Sequence, residues 1–235
     1  MRLRPLDPTH RLSRGMLTFA RRARRLRLLD DLEFKPAIES SKALIVVADG
    51  EPDNRVLLAL AHHVDGRKVV DVAFPEHKHS SVFNVIHEYV RGAFRGRYEL
   101  ILVILDQERE HLASIHNEAK QRIQLPIGEE EVDPELRGRL IYLRIPEPNT
   151  TIYVVVSGTD DQRFTKHTIE DHLLRMAEEA EGLKISGMTD PKQWWRRMPR
   201  ERQEVLLEML AADKKLAEKH FRQHVKALKT LYSLV

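Results

Sequence analysis

The sequence predicts an α/β fold, a mainly parallel sheet with helices on both faces, carrying a basic N-terminal arm and a C-terminal helical extension. Three observations predict it. Short apolar segments rich in β-formers alternate with segments of helical period along residues 42–182. The runs 43–48 (ALIVVA) and 100–105 (LILVIL) are apolar at successive positions, as strands buried on both faces are. The chain's 235 residues, 42% of them hydrophobic, suffice for one ordinary core with appended pieces.

Each element follows in order. The stretch 42–48 is a central strand ending at Asp49-Gly50. Asp53 is placed to cap a helix that carries Val56, Leu57, Leu60, Ala61 and Val64 along one stripe and ends at Asp65-Gly66. Val69 to Phe74 is a second strand, stopped by Pro75. Ser80 or Ser81 opens a helix with Val82, Val85, Ile86, Tyr89, Val90 and Ala93 inward. The third strand, 99–105, runs into Asp106-Gln107-Glu108, and a helix with Leu112, Ile115, Ala119 and Ile123 follows. The acidic stretch 126–138 has no period and reads as a loop. Strands 139–145 and 151–156, joined by a short Pro-containing link, predict an antiparallel hairpin or an edge addition. Thr168-Ile-Glu-Asp171 has the spacing of a capping box ahead of a helix. Asp190-Pro191 opens a short helix, and a long terminal helix is expected from Val205 to Leu228. The expected organisation is an arm (1–41), an α/β domain (42–182) and a helical extension (183–235).

Composition excludes several classes. There is no cysteine, so disulfide scaffolds and thiol enzymes drop out. No apolar run approaches the ~18 residues of a membrane span. The arginine-rich N-terminus lacks an apolar stretch with a small-residue cleavage site, and a cytoplasmic location is expected. Neither a Walker loop, a dinucleotide glycine fingerprint nor a Gly-x-Ser-x-Gly elbow is present.

Charge is unevenly spread. Residues 1–29 hold nine arginines and one acid, a local +8 in a chain of net +3, which leaves −5 for the rest. A basic arm on an acidic body suits a grip on a polyanion, with Arg21, Arg22, Arg24, Arg25 and Arg27 as the candidate contacts. The alternative is a solvated helix whose apolar face docks on the body.

Ligands of parallel sheets bind outside the carboxyl ends of the strands. Acids stand at those ends: Asp49 and Glu51, Glu76, Asp106 and Glu108, and Asp160 and Asp161. Carboxylates gathered at one rim repel unless a cation sits among them, and hard oxygen donors suit Mg²⁺ or Mn²⁺. Lys166 and His167 precede a helix N-terminus, where a phosphate could be met. The pairs His77/His79 and His220/His224 have metal-ligand spacing without a third ligand nearby in sequence. Trp194-Trp195-Arg196-Arg197 offers either base stacking or an anchor for the C-terminal helices.

Two of these segments carry a family resemblance. Ile45-Val-Val-Ala-Asp49-Gly50-Glu51-Pro-Asp53, leading into a helix, resembles the first motif of the Toprim domain of topoisomerases, primases and small nucleases. Leu100 to Glu108 resembles its second motif, a strand followed by Asp-x-Asp, and 166–174 resembles a later segment of stand-alone members. The sequence departs from the pattern twice: Asp49 stands where the family usually has Glu, and Glu108 where it has Asp. The resemblance implies a Toprim-like fold over about residues 42–175. It implies Asp106 and Glu108 as metal ligands with Glu170 adding another, and Asp49, with Glu51 beside it, as the catalytic acids. The function implied is an Mg²⁺- or Mn²⁺-dependent nuclease acting on DNA or RNA. The alternative is a non-catalytic nucleic-acid-binding or assembly module on a degenerate Toprim-like body.

Overall fold

A computed structural model describes residues 1–26, 41–47, 50, 52–66, 68–74, 98–147 and 149–235. In chain order these form β1 (Arg2–Pro5), α1 (Arg11–Arg25), β2 (Ala43–Val47), α2 (Asp53–His62), β3 (Val69–Ala73) and β4 (Leu100–Asp106). There follow α3 (Leu112–Ile123), β5 (Glu129–Val132), β6 (Leu140–Ile145), β7 (Thr150–Ser157) and α4 (Ile169–Glu181). The chain closes with α5 (Pro191–Arg197), α6 (Arg200–Ala212), α7 (Lys214–His220) and α8 (Arg222–Leu234). The expected helix after Ser80 or Ser81, Glu76 and the His77/His79 pair lie outside the described residues.

The strands make one seven-stranded sheet in the order β1-β3-β2-β4-β7-β6-β5. Its first five strands are parallel, and β6 and β5 are added antiparallel at one edge. Because side chains alternate across a strand, successive apolar residues feed two separate layers. Ile45, Leu102 and Tyr153 pack with α1, α2, α4 and the C-terminal helices on one face. Val46, Val103 and Val154 pack with Ile115, Ala119 and Ile123 of α3 on the other. This double burial is why β2 and β4 carry no polar residue until their carboxyl ends.

Four sequence expectations are corrected. The N-terminal stretch is no free arm, at least through residue 26: β1 pairs with β3, and Leu3, Leu12, Met16 and Phe19 are fully buried in the main core. Arg4 is drawn into this pairing by Asp71 of β3, whose carboxylate also accepts from the Tyr98 hydroxyl at 2.7 Å. The C-terminal segment is likewise part of the same body, with Leu206, Leu210 and Leu228 in that core. Its long helix is instead broken twice. Asp213 turns its carboxylate onto the amide groups of Lys215 and Leu216 and starts a new helix, as short polar side chains do at N-caps. Within the expected loop 126–138, β5 pairs with β6, Glu129 opposite Arg144. Its exposed row of glutamates lacks the apolar alternation that marks a strand in sequence, and such a charged row guards a sheet edge against further pairing.

The orientation of α1 matters for the basic residues. Its first turn lies beside the start of α2, where Asn54 donates to the Leu12 carbonyl at 2.7 Å, while Arg22 at its far end pairs with Glu208 of α6. Arg21, Arg22, Arg24 and Arg25 are exposed. At 1.5 Å rise per residue they lie roughly 15–20 Å along the helix from the end that adjoins α2. Arg27 lies outside the described residues. Arg22→Ala should change stability by less than about 1 kcal/mol in a urea melt, because the pair is half-exposed on its arginine side. A larger loss would mean that α1 is held by this contact rather than by its buried face.

Candidate acid–lysine site at the carboxyl end of β4

The site begins where the most apolar strand runs out. Asp106 is the last residue of β4, opposite Ser157 of β7, and its Oδ1 accepts from the backbone N–H of Ile169 at 3.0 Å. That N–H belongs to the first turn of α4, whose amide groups have no partner within the helix. Two residues on, Glu108 adopts a left-handed backbone (φ +54°). Its N–H and C=O both pair with His167, each at 2.8 Å. This reversal brings the Glu108 carboxylate back over the end of the strand.

Two further acids come from other segments. Glu170 stands in the first turn of α4, and Asp53 is the first residue of α2; both are buried. The N-cap of α2 is Pro52 rather than Asp53, so the expected capping role is corrected: Asp53 is the first helical residue, and its side chain is buried. Thr168 makes no side-chain cap bond to α4, contrary to the expected capping box.

The cation among these acids is a lysine. Lys192, on α5, places its Nζ 2.9 Å from Asp106 Oδ2 and in contact with Glu108 Oε1. Lys166 lies on the solvent side, with Nζ 3.8 Å from Glu108 and 3.7 Å from Asp190. Asp190 in turn caps α5, accepting from the Gln193 N–H at 3.1 Å. Through these bonds α5 is fixed over the acids.

The electrostatics record how close the charges are. Burial pushes Asp53 well above the usual carboxylate range, and the nearby charges of Asp106 and Glu170 push it further. Burial and Asp106 together raise Glu170 to about 7. Burial also raises Asp106, with Glu108 adding to the effect and Lys192 opposing it. For Lys192 burial works toward neutrality, but Asp106, Glu108 and Glu170 outweigh it and hold the ammonium well above its ordinary value. At neutral pH the cluster is therefore a charged lysine among carboxyls of which some keep their protons.

Of the expected site residues, Asp106, Glu108, Glu170, Lys166 and His167 are brought together; His167 Nδ1 lies 3.1 Å from Asp171. Asp49 and Glu51 lie outside the described residues. Asp160 and Asp161 do not join the cluster. Asp160 binds Arg137 and Arg139 at 2.6 and 2.7 Å, while Arg163 and Arg175 bind Asp161, Arg163 holding it at about 2. These pairs line a separate cavity of about 1000 Å³. Arginines 21, 22, 24 and 25 sit on the distant end of α1. His224 turns inward to the Ser157 hydroxyl at 3.0 Å rather than toward His220, and Trp195 is buried as an anchor. Asp53 and Lys192 were missed in the sequence. The first looked like an ordinary helix start although it closes the Asp-Gly-Glu-Pro-Asp motif, and nothing in sequence ties Lys192 to β4.

Every acidic member of the cluster is a carboxylate, and Glu170 Oε2 is buried without a hydrogen-bond partner among the described residues. Among those residues, however, no three His, Asp or Glu side chains are disposed to hold a metal ion. The ammonium of Lys192 is what Asp106 and Glu108 face. No helix of the described residues is long and apolar enough to cross a membrane. The chain matches no protein-family model, no curated protein and no solved structure.

Proposed function

We propose that this chain is a Toprim-like, divalent-metal-dependent nuclease, acting on phosphodiester bonds of DNA or RNA at the carboxyl end of β4. One observation carries the reading: carboxylates from α2, β4 and α4 are buried against one another in spite of their repulsion. Acids that only capped helices would face solvent singly and keep ordinary pKa values; an arrangement that opposes its own stability is characteristic of functional sites. A divalent cation, held by Asp106, Glu108 and Glu170, would supply charge for the phosphoryl oxygens and an activated water. Lys166, partly exposed beside Glu108, offers a cation to an incoming phosphate. The exposed arginines of α1 would meet a more distant stretch of the same polyanion.

The test is cleavage of labelled single- and double-stranded DNA and RNA with Mg²⁺ or Mn²⁺. Wild type should cut at least one substrate, and Asp106→Asn should lose about two to four powers of ten in rate while still binding it. The second reading, a non-catalytic nucleic-acid-binding module, is favoured by the ion pairs that Lys192 already makes with Asp106 and Glu108. Binding of every substrate with cleavage of none would establish it in place of the first.

A further inference from the structure

We propose that the cavity beyond the carboxyl end of β7 is a binding site for a small phosphorylated, hydroxyl-rich molecule of the sugar-phosphate class. The cavity is separate from the acid–lysine site, and no residue of that cluster lines it.

The lining fixes the chemistry of the ligand. Gly158 and Thr159 follow β7 directly and form part of the wall, so the cavity lies where parallel sheets receive ligands. Its volume of about 1000 Å³ suits a small organic molecule and far exceeds a bare phosphate ion. Among the described residues of the lining, Leu136 is the one apolar side chain and none is Phe, Tyr or Trp. A ligand with a large apolar ring would find little to pack against, whereas one rich in hydroxyls fits.

The charges favour an anion. Five arginines and Lys219 stand against five acids in the lining, and the acids are the better satisfied partners. Arg163 binds both oxygens of Asp161 and both of Glu178, at 2.6 to 3.2 Å. By contrast, Arg137 and Arg175 each hydrogen-bond through Nη1 alone, to Asp160 at 2.6 Å and to Asp161 at 3.0 Å. Arg222 approaches Glu135 only to 3.6 Å. Asp160 and Asp161 are adjacent in the chain and Glu135 closely precedes Arg137, so these three guanidinium groups ring one region. Their remaining N–H groups are free to grip a phosphate in the forked geometry that guanidinium offers. Gln223 supplies the hydroxyl contact. It is buried in the lining with its side-chain nitrogen 3.1 Å from His172 Nε2, while its amide oxygen has no hydrogen-bond partner among the described residues. A buried acceptor without a donor is costly, and a ligand hydroxyl would satisfy it.

Two measurements test this. In the first, the full chain is titrated calorimetrically with ribose 5-phosphate, ribose and inorganic phosphate. Ribose 5-phosphate should bind with a Kd below about 1 mM. Phosphate should bind at least roughly threefold more weakly, for want of the hydroxyl contact, and ribose should bind more weakly still. No binding of ribose 5-phosphate, or equal affinity for phosphate or ribose, overturns the proposal. The double variant Arg137→Gln/Arg175→Gln should weaken ribose 5-phosphate by about tenfold or more, and an unchanged Kd places the ligand elsewhere and overturns it too. The second measurement needs no variant. Ribose 5-phosphate should slow the modification of Arg137 and Arg175 by phenylglyoxal in the wild-type protein, read by peptide mass spectrometry against the exposed Arg144, which does not line the cavity. Equal rates with and without ribose 5-phosphate at Arg137 and Arg175, or the same slowing at Arg144, overturn the assignment.

Discussion

Glu170→Gln is expected to stabilise the fold by about 2–3 kcal/mol at pH 8 and to leave it nearly unchanged at pH 4. Burial and the charge of Asp106 raise the carboxyl from 4.5 to about 7 in the folded chain. A carboxyl raised by folding contributes fully below its unfolded value, and the contribution is lost as pH rises through the folded value. Between pH 4.5 and 7 each pH unit therefore removes up to about 1.4 kcal/mol from wild type. Part of this is recovered because Lys192 and Asp106 readjust as Glu170 ionises, which lowers the expected gain from the full product. A neutral amide of the same shape has no proton to lose and escapes the penalty. Urea melts of both proteins at pH 4, 6 and 8 measure the difference. If the two curves stay parallel, Glu170 does not share a low-dielectric space with Asp106. If the variant gains stability but loses the proposed cleavage activity, the acid is kept for chemistry at the expense of the fold.

This penalty explains what was and was not legible in the sequence. Apolar periodicity reports burial, so β2 and β4 and the parallel character of their sheet could be read directly from runs such as LILVIL, whereas β7, expected in an antiparallel hairpin or edge addition, lies parallel to β4 inside the sheet. The rule that ligands gather at strand carboxyl ends then selected Asp106 and Glu108 without knowledge of the contacts. What periodicity cannot report is a neighbour distant in sequence. Lys192 lies 84 residues beyond Glu108 and reaches it from α5, ahead of which Thr189 forms an isolated bridge with Phe164. The charge count along the chain likewise marked residues 1–29 as basic, but could not tell that Arg4 is bound by Asp71 inside the sheet, or that α1 uses an apolar face of Leu12, Met16, Phe19 and Ala23. A local sum of charge says how many cations a segment has; tertiary packing decides how many are left for a partner. The same limit applies to the C-terminal helices, where one Asp in a helical pattern was enough to restart the chain direction at residue 213.

A second large effect is expected on the acid side of the stability profile, away from the acid cluster. His172 and His224 are both buried, packed edge to face at 5.3 Å between ring centroids, with Phe221 against each. The ring of His172 is held by neutral-form hydrogen bonds: Nδ1 to the His220 carbonyl at 2.6 Å, and Nε2 accepting from the Gly158 N–H at 2.9 Å. Burial lowers it to about 3, and burial with the neighbouring His172 lowers His224 well below its ordinary 6.5. The sign is opposite to that of Glu170. Above pH 6.5 neither state takes up a proton and the pair costs nothing. Below it the unfolded chain gains protons that the native chain cannot accept, so stability falls by about 1.4 kcal/mol per pH unit for each ring until the folded value is reached. His224→Gln removes one titrating ring while keeping an acceptor for the Ser157 hydroxyl. The number of protons taken up on unfolding between pH 4 and 6, obtained from the slope of urea-derived stability against pH, should drop by about one. Glu170→Gln should raise that number instead, since it removes a group with the reverse linkage. Identical slopes for wild type and His224→Gln would show that His224 takes up its proton in the native protein as readily as in the unfolded chain, and would overturn this account of its burial.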